Sequence, residues 1–208
     1  MKKIKQNSII ASLLLLLSGC VNTNMKESYN QLGMPGYITK NVSQFNGETE
    51  ISLEPAYLND ASSLFRLGLH WNTKLPKDKY LLVAEWAEAK NFEPSAPLGL
   101  NIDGDIVYLK PVDEKEYGVI NKETRTLSST VARSTFSYNR TLKQFWISRN
   151  ELWQLIKAQK VIVRVELLHT YWEERLEPPQ TAMSVYNEYP YAWAKAGFEK
   201  FLTEQKVN

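Results

Sequence analysis

The chain has 208 residues, with 25 Lys and Arg, 23 Asp and Glu, and one cysteine. Three of the lysines lie within the first five residues; the rest of the chain therefore has 22 basic against 23 acidic side chains, and its charge gives no reason to expect a nucleic-acid partner. A lone cysteine excludes any disulfide within the chain, so a core rather than a covalent framework must hold the fold.

At the N-terminus, Lys2, Lys3 and Lys5 precede an apolar run from Ile9 to Leu17. That run is shorter than the roughly 20 residues a helix needs to cross a bilayer, and residues 1–19 read as a signal peptide. The run ends in Leu17-Ser18-Gly19-Cys20, and at these four residues the chain resembles the bacterial lipoproteins, whose lipobox is a leucine, two small residues and a cysteine. The resemblance implies that Cys20 becomes the new N-terminus and carries a thioether-linked diacylglycerol, usually with an N-acyl chain. Anchoring through two or more acyl chains is stable, at about 0.8 kcal/mol per buried methylene. Val21 is not the aspartate of an inner-membrane retention signal, so for a Gram-negative source the implied address is the outer membrane, facing the periplasm. Removing nineteen residues from 208 leaves 189, enough for one domain with its own core.

Residues 20–40, rich in Asn, Thr, Ser, Gly and Pro, read as the lipidated end and a flexible tether reaching at most roughly 70 Å. Residues 41–208 are the expected single globular domain. Period-2 alternation marks strands at Glu48–Glu54 and Phe65–Trp71, and Tyr80–Ala87 is apolar on both faces except at Glu85, as a central strand requires. Leu100–Leu109 folds back at Asp103-Gly104, a type I′ hairpin signal. Thr126–Tyr138 reads as a long Ser/Thr-rich strand, and Phe145-Trp146-Ile147 as another. Ser148-Arg149-Asn150-Glu151 forms a capping box, opening a short helix to about Ala158 with Leu152, Leu155 and Ile156 on one face. Val161, Val163, Val165 and Leu167 then share one face of a strand. Beyond Tyr171 a charged loop is expected, and Pro190 starts a C-terminal amphipathic helix. The fold class is mostly β: an antiparallel sandwich with one short internal helix and a C-terminal helix, a mixed sheet being the alternative if the internal helix is a crossover.

His70 and His169 fall on separate strands without metal-ligand spacing, and Asp103-Gly104-Asp105 lacks the remaining acids of a calcium loop, so neither metal nor cofactor is expected. No G-x-S-x-G elbow and no glycine-rich phosphate loop occurs. Glu85, Glu173 and Glu174 become a glycosidase pair only if the fold brings them to one cleft. The compositional oddity is six tryptophans, with Tyr186, Tyr189 and Tyr191 close to Trp193. Exposed flat rings stack on sugars or anchor a protein partner, whereas buried ones pack helix on sheet. The reading that follows is a lipid-anchored, non-catalytic module for a periplasmic protein or glycan, with Tyr186, Tyr189, Tyr191 and Trp193 as the candidate surface. The alternative is an envelope hydrolase acting on a glycan or ester.

Overall fold

The computed structural model describes residues 33–88, 91–113, 122–129, 134–177 and 189–206. Two antiparallel sheets share one core. The larger has six strands in the order β1 (Ile38–Val42), β2 (Thr49–Tyr57), β3 (Phe65–Asn72), β4 (Lys79–Trp86), β8 (Ser134–Ser148) and β7 (Lys122–Ser129). The smaller has four, in the order β10 (Thr170–Arg175), β9 (Val161–Leu167), β5 (Leu98–Ile102) and β6 (Asp105–Leu109). Helix α1 (Arg149–Lys157) joins β8 in one sheet to β9 in the other, so it links layers and creates no parallel pair in either sheet. The mostly-β sandwich with an internal and a C-terminal helix, α2 (Ala194–Lys206), is the architecture expected from the strand periodicity.

Strand alternation explains which side chains meet. Tyr80, Leu82, Ala84 and Trp86 on β4 oppose Ile147, Phe145, Lys143 and Thr141 on β8, all facing the smaller sheet's Leu98, Leu100, Val161, Val163 and Val165. Phe198, Phe201 and Leu202 of α2 complete that core over β2 and β3, with Phe201 edge-on to Tyr80 at 6.0 Å. At the other end Trp86 meets Trp172 edge-on at 5.5 Å. A bulge in β2 between Leu53 and Ala56 needs room on its neighbour. A Cβ at Gly68 would lie 2.5 Å from the Leu53 carbonyl oxygen, so β3 carries glycine there.

Several expectations need correction. The tether expected through residue 40 ends sooner: β1 begins at Ile38, and Gly36 N–H donates to the Glu54 carbonyl at 3.1 Å. The polar composition hid this because β1 is a partly exposed edge strand. Residues 170–175 form β10 instead of a charged loop, paired along β9 by a two-residue turn at Leu168-His169. Four of its six residues in sequence, Tyr171 to Glu174, mix aromatic and charged side chains because the strand lies at an edge. The long strand expected at Thr126–Tyr138 is two strands, β7 ending at Ser129 and β8 starting at Ser134.

The capping box is complete: Glu151 N–H donates to Ser148 Oγ at 3.2 Å, and Ser148 N–H donates to Glu151 Oε2 at 2.7 Å. Asp103 (φ 52°) and Gly104 (φ 106°) both take positive φ, making the expected hairpin. The Asp103 carboxylate accepts from the amides of Gln159 (3.2 Å) and Lys160 (2.7 Å). That aspartate therefore pins the β5–β6 hairpin tip to the end of α1.

Candidate functional site

The arrangements that catalysis would need are the first to test. Ser52 Oγ and His70 Nδ1 share a hydrogen bond of 2.9 Å across β2 and β3, and Glu50 Oε1 lies 3.6 Å from the same nitrogen. A relay needs acid and nucleophile on opposite ring nitrogens. Here they share Nδ1, while Nε2 faces Asn72 Nδ2 at 3.4 Å. Burial lowers the pKa of His70, against a smaller upward pull from Glu50, and favours the neutral ring. The trio is a cross-strand polar row.

The three glutamates do not converge. Glu85 points to the face of β4 opposite Trp86 and is bound by Arg66 at 3.0 Å and Arg140 at 2.7 Å. Glu174 faces the interior side of β10, where its Oε2 accepts from Ser63 Oγ at 2.6 Å and Trp172 Nε1 at 3.0 Å. Burial raises its pKa, and those hydrogen bonds oppose the rise. Glu173, one residue along the strand, faces the other way and pairs with Arg164 at 3.4 Å. Among the described residues no group of His, Cys, Asp and Glu side chains converges as metal ligands do. Lys143, buried on the inner face, donates to the Glu93 carbonyl and, at 2.7 Å, to that of Ala96, so it ties down the loop before β5. Burial lowers its pKa to about 8, against a smaller upward pull from the Glu93 carboxylate.

Of the aromatic cluster near the C-terminus, Tyr189 and Trp193 are each only 5% exposed. Trp193 meets Tyr57 at 6.1 Å, and Tyr189 Oη donates to the Gly36 carbonyl at 3.4 Å. The short turn Pro190–Ala192 packs so closely on the N-terminal segment that a Cβ at Gly36 would overlap the Tyr191 carbonyl oxygen. Tyr191 is half-buried, edge-on to Tyr189, with Lys200 Nζ 4.3 Å from its ring centre. Tyr186 and Cys20 lie outside the described residues. Tyr189 and Trp193 therefore pack the start of α2, while Tyr191 keeps part of its ring exposed.

A different aromatic feature does line open space. Where β6 runs on into Lys110–Val112, that segment joins β8: Trp146 N–H donates to the Lys110 carbonyl and Val112 N–H to that of Gln144, both at 2.9 Å. Before this junction a groove runs between β6 and the start of α1. Two depressions of about 420 and 480 Å³, within the size range of small-ligand sites, are lined by successive stretches of β6 and of the start of α1. Pro76, Lys79, Tyr108, Lys110, Trp146 and Glu151 line the first; Asp105, Val107, Asn150, Trp153, Gln154 and Lys157 are among those lining the second. Tyr108 is 65% exposed. Trp146 packs beneath on the buried Leu81 and Val112, and Trp153 is partly buried against the main core.

The backbone adds polar groups to one wall. In a two-residue hairpin Ile102 and Asp105 form the hydrogen-bonded pair, so the N–H and C=O groups of Ile106 and Tyr108 point away from β5. Among the described residues no strand pairs with that edge along β6 itself. Tyr108 and Trp146 thus line the first depression, Trp153 and the amides of Asn150 and Gln154 line the second, and the outward backbone groups of Ile106 and Tyr108 run along the strand beside both. The sequence displayed each ring separately, but no periodicity shows that Tyr108 and Trp146 line one depression.

No protein-family model matches the chain, and no curated protein or solved structure matches it either.

Proposed function

We propose that this protein is a lipid-anchored module of the bacterial envelope, held through Cys20 at the outer membrane facing the periplasm, which binds a glycan without cleaving it. The groove between β6 and α1 is the observation behind the ligand class. Sugars present flat C–H faces and a rim of hydroxyls; aromatic rings with amide, carboxylate and backbone partners match both. The hydrolase alternative is left without an arrangement to support it among the described residues, since the serine–histidine pair shares one ring nitrogen and the three glutamates face apart. A peptide strand added along Ile106 and Tyr108 is the second reading, favoured by their outward backbone groups.

The anchor is tested by labelling cells with a palmitate analogue. The wild type should take up label, whereas Cys20→Ser should not and should remain an uncleaved precursor; label on the variant would contradict lipidation at this residue.

The groove is tested with immobilised oligosaccharides of bacterial envelopes. Tyr108→Ala should weaken capture by about tenfold, the scale of losing one well-placed aromatic contact of about 1.4 kcal/mol. Its melt should stay within about 0.5 kcal/mol of wild type, as for an exposed position. Equal capture by variant and wild type would remove the groove as the glycan site, and capture only of extended peptides would favour strand addition.

A further inference from the structure

We infer that the turn between β1 and β2 inserts Phe45 into the phospholipid surface to which Cys20 is tethered, so that the domain sits on the membrane in one orientation. The inference rests on the lipid anchor proposed above and adds a second point of attachment. Phe45 is fully exposed in this turn, and Val42, at the end of β1 three residues earlier, is 59% exposed. The turn that carries them is ordered by its own polar groups. Ser43 N–H donates to the Glu48 carbonyl at 2.8 Å and Gly47 N–H to the Ser43 carbonyl at 3.0 Å. The Phe45 and Glu48 amides donate to Ser43 Oγ at 3.3 Å and to Asn46 Oδ1 at 3.1 Å. Gly47 supplies the positive φ, 71°, that closes the turn. Four amides are thus satisfied within it, so its apolar tip enters lipid at a smaller desolvation cost than an open loop would.

A bilayer suits this surface better than a protein partner does. Specific protein interfaces take about 20 to 30 residues a side, whereas two apolar side chains need no complementary pocket to enter a headgroup region. The charges around the tip do not oppose that contact. Thr73 N–H donates to the Thr49 carbonyl at 3.0 Å, which fixes the β3–β4 turn beside the β1–β2 turn. Residues 42–49 and 73–79 together carry Lys74, Lys77 and Lys79 against Glu48 and Asp78, and Glu48 is already paired with Lys74 at 3.0 Å. No excess of negative charge therefore faces the phospholipid.

The length of chain between anchor and domain allows both attachments at once. Thirteen steps of chain separate Cys20 from Gly33, where the described residues begin, and they reach at most roughly 45 Å. Twelve steps separate Gly33 from Phe45, at most roughly 42 Å even if fully extended. Burying one phenylalanine side chain shifts a partition only about ten- to a hundredfold, too little to hold a free protein on a membrane. Tethered, the turn meets its own membrane at an effective concentration of about millimolar, and the same small gain then decides orientation.

The test uses the full-length lipidated protein in vesicles of phosphatidylethanolamine with a minority of phosphatidylglycerol. Gln44→Cys, at an exposed position next to Phe45, gives one labelling site for a fluorophore, since acylation consumes the Cys20 thiol. Vesicle flotation at high salt reports the anchor, and quenching by nitroxide-bearing phospholipid reports the tip. With Phe45 present the label should be quenched. Adding Phe45→Ser should leave flotation and the urea melt unchanged, but the ratio of lipid-quenched to water-exposed label should fall about tenfold. A protein that floats with an unquenched label, or quenching that survives Phe45→Ser, would overturn the docking while leaving the anchor in place. A protein that does not float would refute the anchor and the docking with it. A label shielded from an aqueous quencher yet not reached by the lipid quencher would mean that the tip meets a second protein, which also overturns the proposal.

Discussion

Replacing Trp193 by alanine is expected to lower stability by about 3 to 5 kcal/mol, the range for a buried aromatic side chain cut back to a methyl group. The ring is 5% exposed and sits between the three-residue turn at Pro190 and the start of α2. Its neighbours have few ways to relax. Tyr57 lies at 6.1 Å and is bridged to Trp193 through the backbone, and the Gly36 segment is pressed against the turn from the other side. A cavity left there should stay open, and α2 should lose part of its hold on β2 and β3. Urea melts of the full-length protein and the variant measure the loss. Superimposable melts would mean that the ring is dispensable for packing and free to serve as a contact surface.

The second large effect is expected at Glu85, which is 1% exposed on the outer face of the six-stranded sheet. Arg66 and Arg140, themselves 16% and 12% exposed, converge on its two oxygens, and Tyr138 Oη lies 3.4 Å from Oε1. Glu85→Ala leaves both guanidinium groups without this counter-ion while still shielded from water. Breaking a buried ion pair from one side costs about 3 to 5 kcal/mol. Arg140 retains a looser contact to Glu54 at 3.9 Å, which holds the expected loss toward the lower end. Glu85→Gln keeps an acceptor of the same shape and should lose less. A Glu85→Ala protein that melts with wild type would show that the network contributes nothing to the fold.

Strand register and the helix cap could be read from the sequence because both are local. Period-2 alternation places Leu82 and Trp86 on one face whatever the neighbours are, and Ser148 with Glu151 satisfies two amides within four residues of chain. What escaped reading is set by contacts between distant segments. β10 carries Tyr171, Trp172 and Glu173 on an edge that needs little burial, so no alternation marks it, although Arg164 stacks 3.8 Å from the Tyr171 ring centre once β9 is alongside. Trp193 lies in a proline turn that resembles an exposed loop until the Gly36 segment covers it. The groove itself depends on where the chain after β6 joins β8, and that is decided by the two backbone bonds at Lys110 and Val112, which no side chain in the sequence announces.

The central claim is that the rings of the β6–α1 groove bind while the ring at the α2 junction packs. Parallel measurement of oligosaccharide affinity and urea stability for Tyr108→Ala and Trp193→Ala tests it most directly, with affinities taken at low temperature where both variants remain folded. Tyr108→Ala should lose about tenfold in affinity with its melt within about 0.5 kcal/mol of wild type. Trp193→Ala should lose about 3 to 5 kcal/mol of stability and keep its affinity. The opposite pattern, in which Trp193→Ala loses capture at unchanged stability while Tyr108→Ala binds normally, would contradict the account.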